Sequence, residues 1–424
     1  MIFKSQFKNI KNIDNLLSFF FLILIIVGSL LNTVSNKTYQ NDSWTIGEWL
    51  INYQGGFVRR GFLGEIIYFL SSSIKISPIF FIWFICLLSY FLLIKLVLKE
   101  AKGKVSSVFI LSPSILLAPV IGDFLIRKDI LLMLMFLINL KVCRSKNPNL
   151  FIFNILNIFG TLVHESFAIY ALPIETILLS NKLRLKGGGI IIFFKLLPSF
   201  LIFTICFIFK GNNNQAIHIH KSWLEQPLLF PFENLKTEFP LGAINSIGWD
   251  IQNILNILKS SLSSFEGIIW VPFAWIITLI LLAILFLGDS SYKDIKIKFF
   301  ILSVQFLPFS ILCFSGWDYG RWIFIWILSS ILIYCTFGEE LKTFKLVQNT
   351  LKKLNCIEKF FYNIKIKKRS NLLLISYAYP HCCWSIYYLP GLLVVPIYYG
   401  LQSRKLIINS LTNYSKKIFN LKFD

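Results

Sequence analysis

The sequence predicts an all-α integral membrane protein, a polytopic helical bundle that forms a single transmembrane domain over residues 1–424. Hydrophobic residues make up 56% of the 424 residues, and the mean hydropathy is +0.68. Apolar stretches near 20 residues recur along the whole length, and each is long enough to cross a hydrocarbon core of roughly 30 Å. Backbone groups in lipid must bond within their own segment, so we expect these spans to be helices.

The charge distribution predicts the orientation of the spans. The formal charge is +21, and the basic residues cluster between the apolar stretches, as the positive-inside rule describes. No basic groove interleaved with aromatic residues accompanies them, which excludes a nucleic-acid partner in favour of membrane lipids. We therefore expect the amino terminus and a basic segment, 339–370, to be cytoplasmic, with a first loop at 35–60 and a long loop at 210–265 outside.

The apolar pattern predicts about 11 to 12 membrane helices, including 61–74 and a final hairpin. We expect an interfacial or partly embedded helix at 61–74, because this stretch is short and contains Glu65. Prolines interrupt 372–401 between two basic flanks, which favours a hairpin that turns near His381. The other predicted spans cover about 15–34, 77–97, 105–121, 130–143, 150–163, 167–181, 189–209, 267–287 and 299–315, with one more that ends near 338.

Two further expectations concern a pair of short spans and a lysine-rich turn. Spans 150–163 and 167–181 are short for a membrane crossing, so they are expected to stop below the outer surface. The lysines of 293–298 form a cytoplasmic turn between two spans.

The cysteine and histidine spacing predicts neither a metal site nor a cofactor. The eight cysteines include no CxxC motif, and most lie within spans. His218 and His220 are two residues apart, but the sequence offers no further ligands for a metal beside them.

Half of the arginines and all the histidines are predicted to lie on the outward side of the membrane. Only eight of the 42 basic residues are arginines, and half of these lie in outward connections together with all the histidines. This arrangement favours chemistry at the outer face over simple anchoring. The residues concerned are Arg59, Arg60, Arg127, Arg321, His164, His218, His220 and His381.

The first outward loop sets Arg59 and Arg60 among glycines and aromatic residues. Glycine lets a backbone approach a ligand closely, and arginine offers a planar fork that matches phosphate oxygens. The alternative is an interfacial anchor of aromatic-belt residues. A phosphate-binding loop is favoured, because an arginine pair at an outer interface gains nothing from positive-inside sorting.

Three further outward turns carry ionisable groups, and each leaves two interpretations open. Arg127 pairs with Asp123 four residues away, or it forms a second phosphate clamp with Lys128. The turn at His164 and Glu165 holds either a general base or an outer-interface hydrogen bond. The turn from Asp318 to Arg321 is either an intra-turn salt bridge within an aromatic belt or part of a functional face.

These residues resemble a known family. The segment 49–64, WLINYQGGFVRRGFLG, looks like the first-loop signature of polytopic proteins found with bacterial surface-polysaccharide genes. Together with Arg127-Lys128-Asp129, His164-Glu165 and Asp318-Tyr319-Gly320-Arg321, it resembles the EpsG and Wzy-type polymerases. The general plan is similar to the broader GT-C glycosyltransferases, although the first loop lacks the adjacent Asp-Asp pair that many of them have.

The resemblance implies a glycosyltransferase of the polysaccharide-polymerase type in the bacterial inner membrane, acting at its extracytoplasmic face. It implies lipid-linked glycans as donor and acceptor, with the donor on undecaprenyl pyrophosphate, and a flippase or chain-length regulator as a candidate partner. Phosphate binding is implied for Arg59, Arg60, Arg127, Lys128 and Arg321. The resemblance also implies that the acceptor hydroxyl is oriented or deprotonated by residues among Asp42, Glu48, His164, Glu165 and Asp318.

Two alternatives stay open at this stage. One is a GT-C transferase that uses a polyprenyl-monophosphate sugar. The other is a transporter or flippase of the lipid-linked glycan, which should show polar residues at mid-span. The predicted spans are mostly apolar, with Lys195 as an exception, and this favours an outer-face enzyme.

Overall fold

The regular structure of the chain is entirely helical in the described part. A computed structural model describes residues 2–35, 43–121, 124–183, 188–226, 238–250, 282–287, 292–315 and 319–344, with isolated positions between 252 and 280 and at 347–348. The helices, in chain order, are α1 Ile2–Ser35, α2 Thr45–Leu50, α3 Gly61–Ile74, α4 Pro78–Ala101, α5 Ser107–Leu111, α6 Ala118–Ile121, α7 Asp129–Arg144, α8 Leu150–Val163, α9 Ser166–Leu183, α10 Gly188–Lys195, α11 Leu197–Ile208, α12 Asn213–Leu224, α13 Gly242–Asn245, α14 Tyr292–Ser315 and α15 Tyr319–Leu341.

The helices confirm the prediction of a helical membrane protein at the level of class. Among the described residues, three helices are long and apolar enough to cross a membrane, namely α4, α14 and α15. Shorter apolar helices include α3, α8 and α11. The 14 residues of α8 rise only about 21 Å, which is less than a hydrocarbon core.

The main core is a bundle in which α4, α7, α9 and α15 all end at the same face. Ion pairs join their carboxyl ends: Glu100 contacts Lys141 and Arg144, and Glu340 contacts Arg144 and Lys182. Helix α7 is central, because it packs against the other three. The amino ends of these helices therefore meet at the opposite face.

A second hydrophobic core covers that opposite face. Trp49 of α2 and Trp223 of α12 are fully buried in it, together with Ile126. The Trp49 indole donates to the Ile126 carbonyl at 2.5 Å, and the Trp223 indole donates to the Leu50 carbonyl at 2.8 Å. Segments of the two predicted outward loops, 43–60 in the first and 213–226 with 238–250 in the second, thus pack into one layer over the helix ends.

Two predicted spans are interrupted in the structure. The stretch 105–121 is broken between α5 and α6, because Pro113 cannot donate to a helical carbonyl and disfavours helix at the preceding residue. Buried turns replace the missing helix, and the Leu116 carbonyl accepts the Tyr90 hydroxyl. The stretch 189–209 is broken at Leu196, just before Pro198 in the first turn of α11.

The predicted turn at 293–298 is instead the first part of α14, and Lys298 is fully buried there. Its ammonium donates to the Phe286 carbonyl at 2.9 Å and lies over the rings of Phe286 and Tyr334. Most of 267–287 and 339–370, and all of 372–401, lie outside the described residues.

The expectation that the spans carry little polarity apart from Lys195 is wrong. Three amide side chains and one carboxyl side chain are buried within predicted spans. They are Asn139, Asn157, Glu175 and Gln305.

Candidate functional site

The candidate site is built where the amino ends of four helices meet. Helix α3 begins after Arg60, α7 after Lys128, α9 after Glu165, and α15 two residues before Arg321. The first turn of a helix leaves amide groups without internal partners and carries a partial positive charge. The backbone thus adds to the charge of the side chains at this end of the bundle.

Arg59 and Arg60 converge on Glu165. The Arg60 guanidinium donates through Nε to Oε2 at 2.8 Å and through Nη2 to Oε1 at 2.5 Å, while Arg59 Nη1 lies 3.2 Å from Oε1. Arg60 has a left-handed backbone, with φ of 67°, at the entry to α3. The side chains of Arg59 and Arg60 are 25% and 23% exposed, so this pair is the accessible part of the site.

Glu48 joins His164 and Arg127 in a buried group. His164 Nε2 lies 3.2 Å from one Glu48 oxygen, and Arg127 Nη1 lies 3.3 Å from the other. The Ser166 amide donates to His164 Nδ1 at 3.1 Å, so the imidazole proton is placed on Nε2, where it is donated to Glu48. The imidazole is therefore neutral, and both its nitrogens are occupied.

Arg321 and Asp129 form a bidentate ion pair. Its Nε donates to Oδ2 at 2.7 Å, and its Nη2 donates to Oδ1 at 3.1 Å. The two side chains are only 3% and 1% exposed. This pair connects the first turns of α7 and α15, and it lies deeper than the Arg59–Glu165 pair.

Lys128 is fully buried at the centre of the cluster. Its ammonium donates to the carbonyls of Arg60 and Val163 at 3.2 and 3.3 Å, and it lies 5.7 Å from the centre of the Trp49 ring. Burial lowers the pKa of Lys128 to about 8. Lys128 thus ties the arginine loop to the end of α8 through backbone carbonyls.

The cluster carries an excess of positive charge. Its cations are Arg59, Arg60, Arg127, Lys128 and Arg321, and its carboxylates are Glu48, Asp129 and Glu165. Among the residues that the structure describes, and with His164 neutral, five cations face three carboxylates, so this described part of the cluster has a formal excess of two positive charges.

The side chains of Glu165 and Glu48 are held in their ionised form. Burial opposes ionisation of Glu165, but the charges of Arg60 and Arg59 outweigh it and place its pKa well below the usual range. The pKa of Glu48 is likewise well below its usual range, because the His164 hydrogen bond and the charges of Arg321 and Arg127 overcome the effect of burial. Burial, then the charge of Arg60, lowers the pKa of His164.

The structure brings together eight of the ten residues predicted from the sequence. Asp42 and Asp318 lie outside the described residues, as does Asp123, the partner first considered for Arg127. Asp129 belongs to the same cluster although it was not among the candidates. The signal for it was weak: a carboxylate beside Arg127 and Lys128 in an outward turn.

The glycines of the first loop contact the protein's own backbone. A Cβ added to Gly64 would lie 1.8 Å from the Ile51 carbonyl oxygen, and one added to Gly55 would lie 2.7 Å from the Gln215 carbonyl oxygen. These glycines let the loop pack closely against α3 and α12.

Comparison of the chain with protein-family models, with curated proteins and with solved structures finds no significant match.

Proposed function

We propose that this protein is a membrane glycosyltransferase of the polysaccharide-polymerase type, which joins undecaprenyl-pyrophosphate-linked repeat units at the outer face of the inner membrane. The observation that carries the proposal is the formal excess of two positive charges at four converging helix amino ends. Phosphate oxygens bind well to arginine forks and to free amides at helix amino ends. A pyrophosphate leaving group would supply the missing negative charge.

The accessible arginines define where this phosphate would bind. Arg59 and Arg60 already hold a carboxylate, Glu165, in the geometry that suits a phosphate oxygen. Exposed aromatic rings lie beside them: Phe57 stacks on Tyr53 and meets Phe209 edge-on. Such rings suit both a sugar face and a prenyl chain at the membrane surface.

Glu165 is the carboxylate best placed to act on an acceptor hydroxyl. It is ionised and its side chain is 14% exposed, whereas the side chain of Glu48 is only 3% exposed. As the acceptor oxygen forms its bond to the sugar carbon, the bond to the pyrophosphate breaks, and the hydroxyl proton passes to Glu165. The buried pairs would keep Glu165 and the arginines in position, and the arginines would stabilise the charge that develops on the leaving group.

The test replaces arginine by lysine at Arg59 and Arg60. Lysine keeps the charge but loses the planar fork, so we expect much less glycan polymer at normal membrane abundance. Arg144→Lys is the matched control, because Arg144 forms ion pairs at the opposite face and is 45% exposed. Full polymer synthesis by both site variants would overturn the proposal.

The orientation of the site is tested separately. Single cysteines at Asn214, in α12, and at Lys146, between α7 and α8, lie near opposite faces of the bundle. We expect a membrane-impermeant thiol reagent to label the first from outside and the second only after permeabilisation. The reverse pattern would place the arginines in the cytoplasm, where this polymerase could not work.

A transporter of the lipid-linked glycan is the second candidate, and the buried Glu175 within the bundle favours it. The lipids that accumulate in an Arg59→Lys strain separate the two functions. Single lipid-linked repeat units at the outer face are expected of a failed polymerase. The same units confined to the cytoplasmic face would indicate failed transport. A product that is extended by one sugar only would indicate a single-sugar transferase.

A further inference from the structure

A polar cluster lies within the helical bundle, away from the arginines. Glu175 of α9, Asn139 of α7 and Asn157 of α8 are all fully buried. Within the described residues, both carboxyl oxygens of Glu175 lack a hydrogen-bond donor, and Asn139 has no partner for its oxygen or its nitrogen. Asn157 uses its Nδ2 to donate to the Phe153 carbonyl at 3.2 Å, and its Oδ1 has no partner. The cluster therefore has four oxygens without a donor, and Asn139 Nδ2 is its one side-chain nitrogen without an acceptor among the described residues.

The position of Glu175 makes an ionised form costly. Glu175 is nine residues after the first residue of α9, about 14 Å along the helix from the charged site. Asn157 and Asn139 are the side chains that act on the carboxyl, and no described charged group of the helices packed against α9 does so. A buried carboxylate without a cation carries a desolvation penalty of several kcal/mol.

We propose that Glu175 is a proton-binding site, protonated at neutral pH and hydrogen-bonded to Asn157 and Asn139. One proton links the three side chains: the carboxyl O–H donates to Asn157 Oδ1, and the other carboxyl oxygen accepts from Asn139 Nδ2. A bound proton needs no cavity between the packed helices, whereas a metal cation would leave the Asn139 donor without a partner.

Tyr170 connects this site to the charged cluster. Its hydroxyl is buried without a hydrogen-bond partner in the described chain, and both Asp129 and Glu175 act on it electrostatically. Tyr170 is four residues after the first residue of α9 and Glu175 is nine, so Tyr170 lies between the charged helix ends and Glu175 along the helix. Cys143 is the other titratable neighbour of Glu175, and a thiol is a weaker hydrogen-bond donor and acceptor than a phenol, so we assign the route of proton exchange to Tyr170.

Infrared spectroscopy of the purified full-length protein tests the assignment without an activity assay. At neutral pH we expect the C=O stretch of a protonated carboxyl, which Glu175→Gln removes and Glu175→Asp retains at a shifted position. Glu100→Gln is the control, because Glu100 is ion-paired with Lys141 and Arg144 and should not contribute to that band. If Glu175→Gln does not fold, retention of the shifted band in Glu175→Asp decides the assignment.

The kinetics of deuterium exchange test the route. The band shifts when the carboxyl exchanges in D2O, and Tyr170→Phe should slow this shift several-fold without removing the band. An exchange rate that Tyr170→Phe leaves unchanged would overturn the route. An ionised carboxylate at neutral pH, or a band that sodium ions remove, would overturn the proton site. None of these outcomes depends on the proposed transferase function.

Discussion

The Asp129–Arg321 pair offers the clearest test of how the site is held together. Two hydrogen bonds of 2.7 and 3.1 Å join side chains that are almost completely buried. Replacing Asp129 by leucine, or Arg321 by methionine, removes one member of the pair and leaves the charge of the other buried without these two hydrogen bonds. Breaking a buried pair from one side destabilises a protein by about 3–5 kcal/mol.

The double variant should behave differently. With Asp129→Leu and Arg321→Met combined, neither charge is left to be desolvated, so most of the stability lost in each single variant should return. The control pair lies at the opposite face, where Arg144 is 45% exposed and contacts Glu100 at 3.3 Å. Loss of such an exposed pair costs only about 0.2–1 kcal/mol.

Unfolding in mixed detergent micelles, followed for the single and double variants, measures these differences as a double-mutant cycle. We expect strong coupling between Asp129 and Arg321 and weak coupling between Glu100 and Arg144. Single variants at Asp129 and Arg321 that unfold like the Arg144 control would refute the argument, because they would show that the pair is not desolvated.

Three further predictions concern His164, Lys128 and Gly64. The folded-state pKa of His164 lies below its unfolded value, so the unfolded chain binds an extra proton as the pH falls below about 6.5. The native state should therefore lose stability below this pH. In thermal unfolding, His164→Gln should reduce that loss. Lys128 has a pKa of about 8, so stability should rise with pH from there towards the unfolded pKa of about 10.4, and Lys128→Met should remove this slope. Gly64→Ala places a Cβ 1.8 Å from a carbonyl oxygen and should sharply lower the abundance of folded protein. Gly47→Ala should be tolerated, because the nearest neighbours of its Cβ would lie at 3.7 Å. Equal abundance of the two variants would contradict the packing argument.

The sequence alone determined the class of the protein and much of its helical outline. Hydrophobic length predicted helices at 61–74, 150–163 and 167–181, and the structure has helices at Gly61–Ile74, Leu150–Val163 and Ser166–Leu183. These agree because span length and interrupting polar residues are local properties of the chain. The breaks near Pro113 and Leu196 were missed, because hydropathy alone does not register where proline interrupts the helical hydrogen bonds of an apolar stretch.

The choice of partners was decided by the tertiary structure. Sequence spacing suggested Asp123 for Arg127 and Asp318 for Arg321, and both carboxylates lie outside the described residues. The spacing gave no sign that Arg127 binds Glu48, 79 residues away, or that Arg321 binds Asp129, 192 residues away. The sequence could place arginines and carboxylates at the same ends of spans, whereas only helix packing decides which of those ends meet. Glu175 follows the same logic: its place within a span was visible in the sequence, but its burial beside Asn139 and Asn157 depends on how α7, α8 and α9 pack.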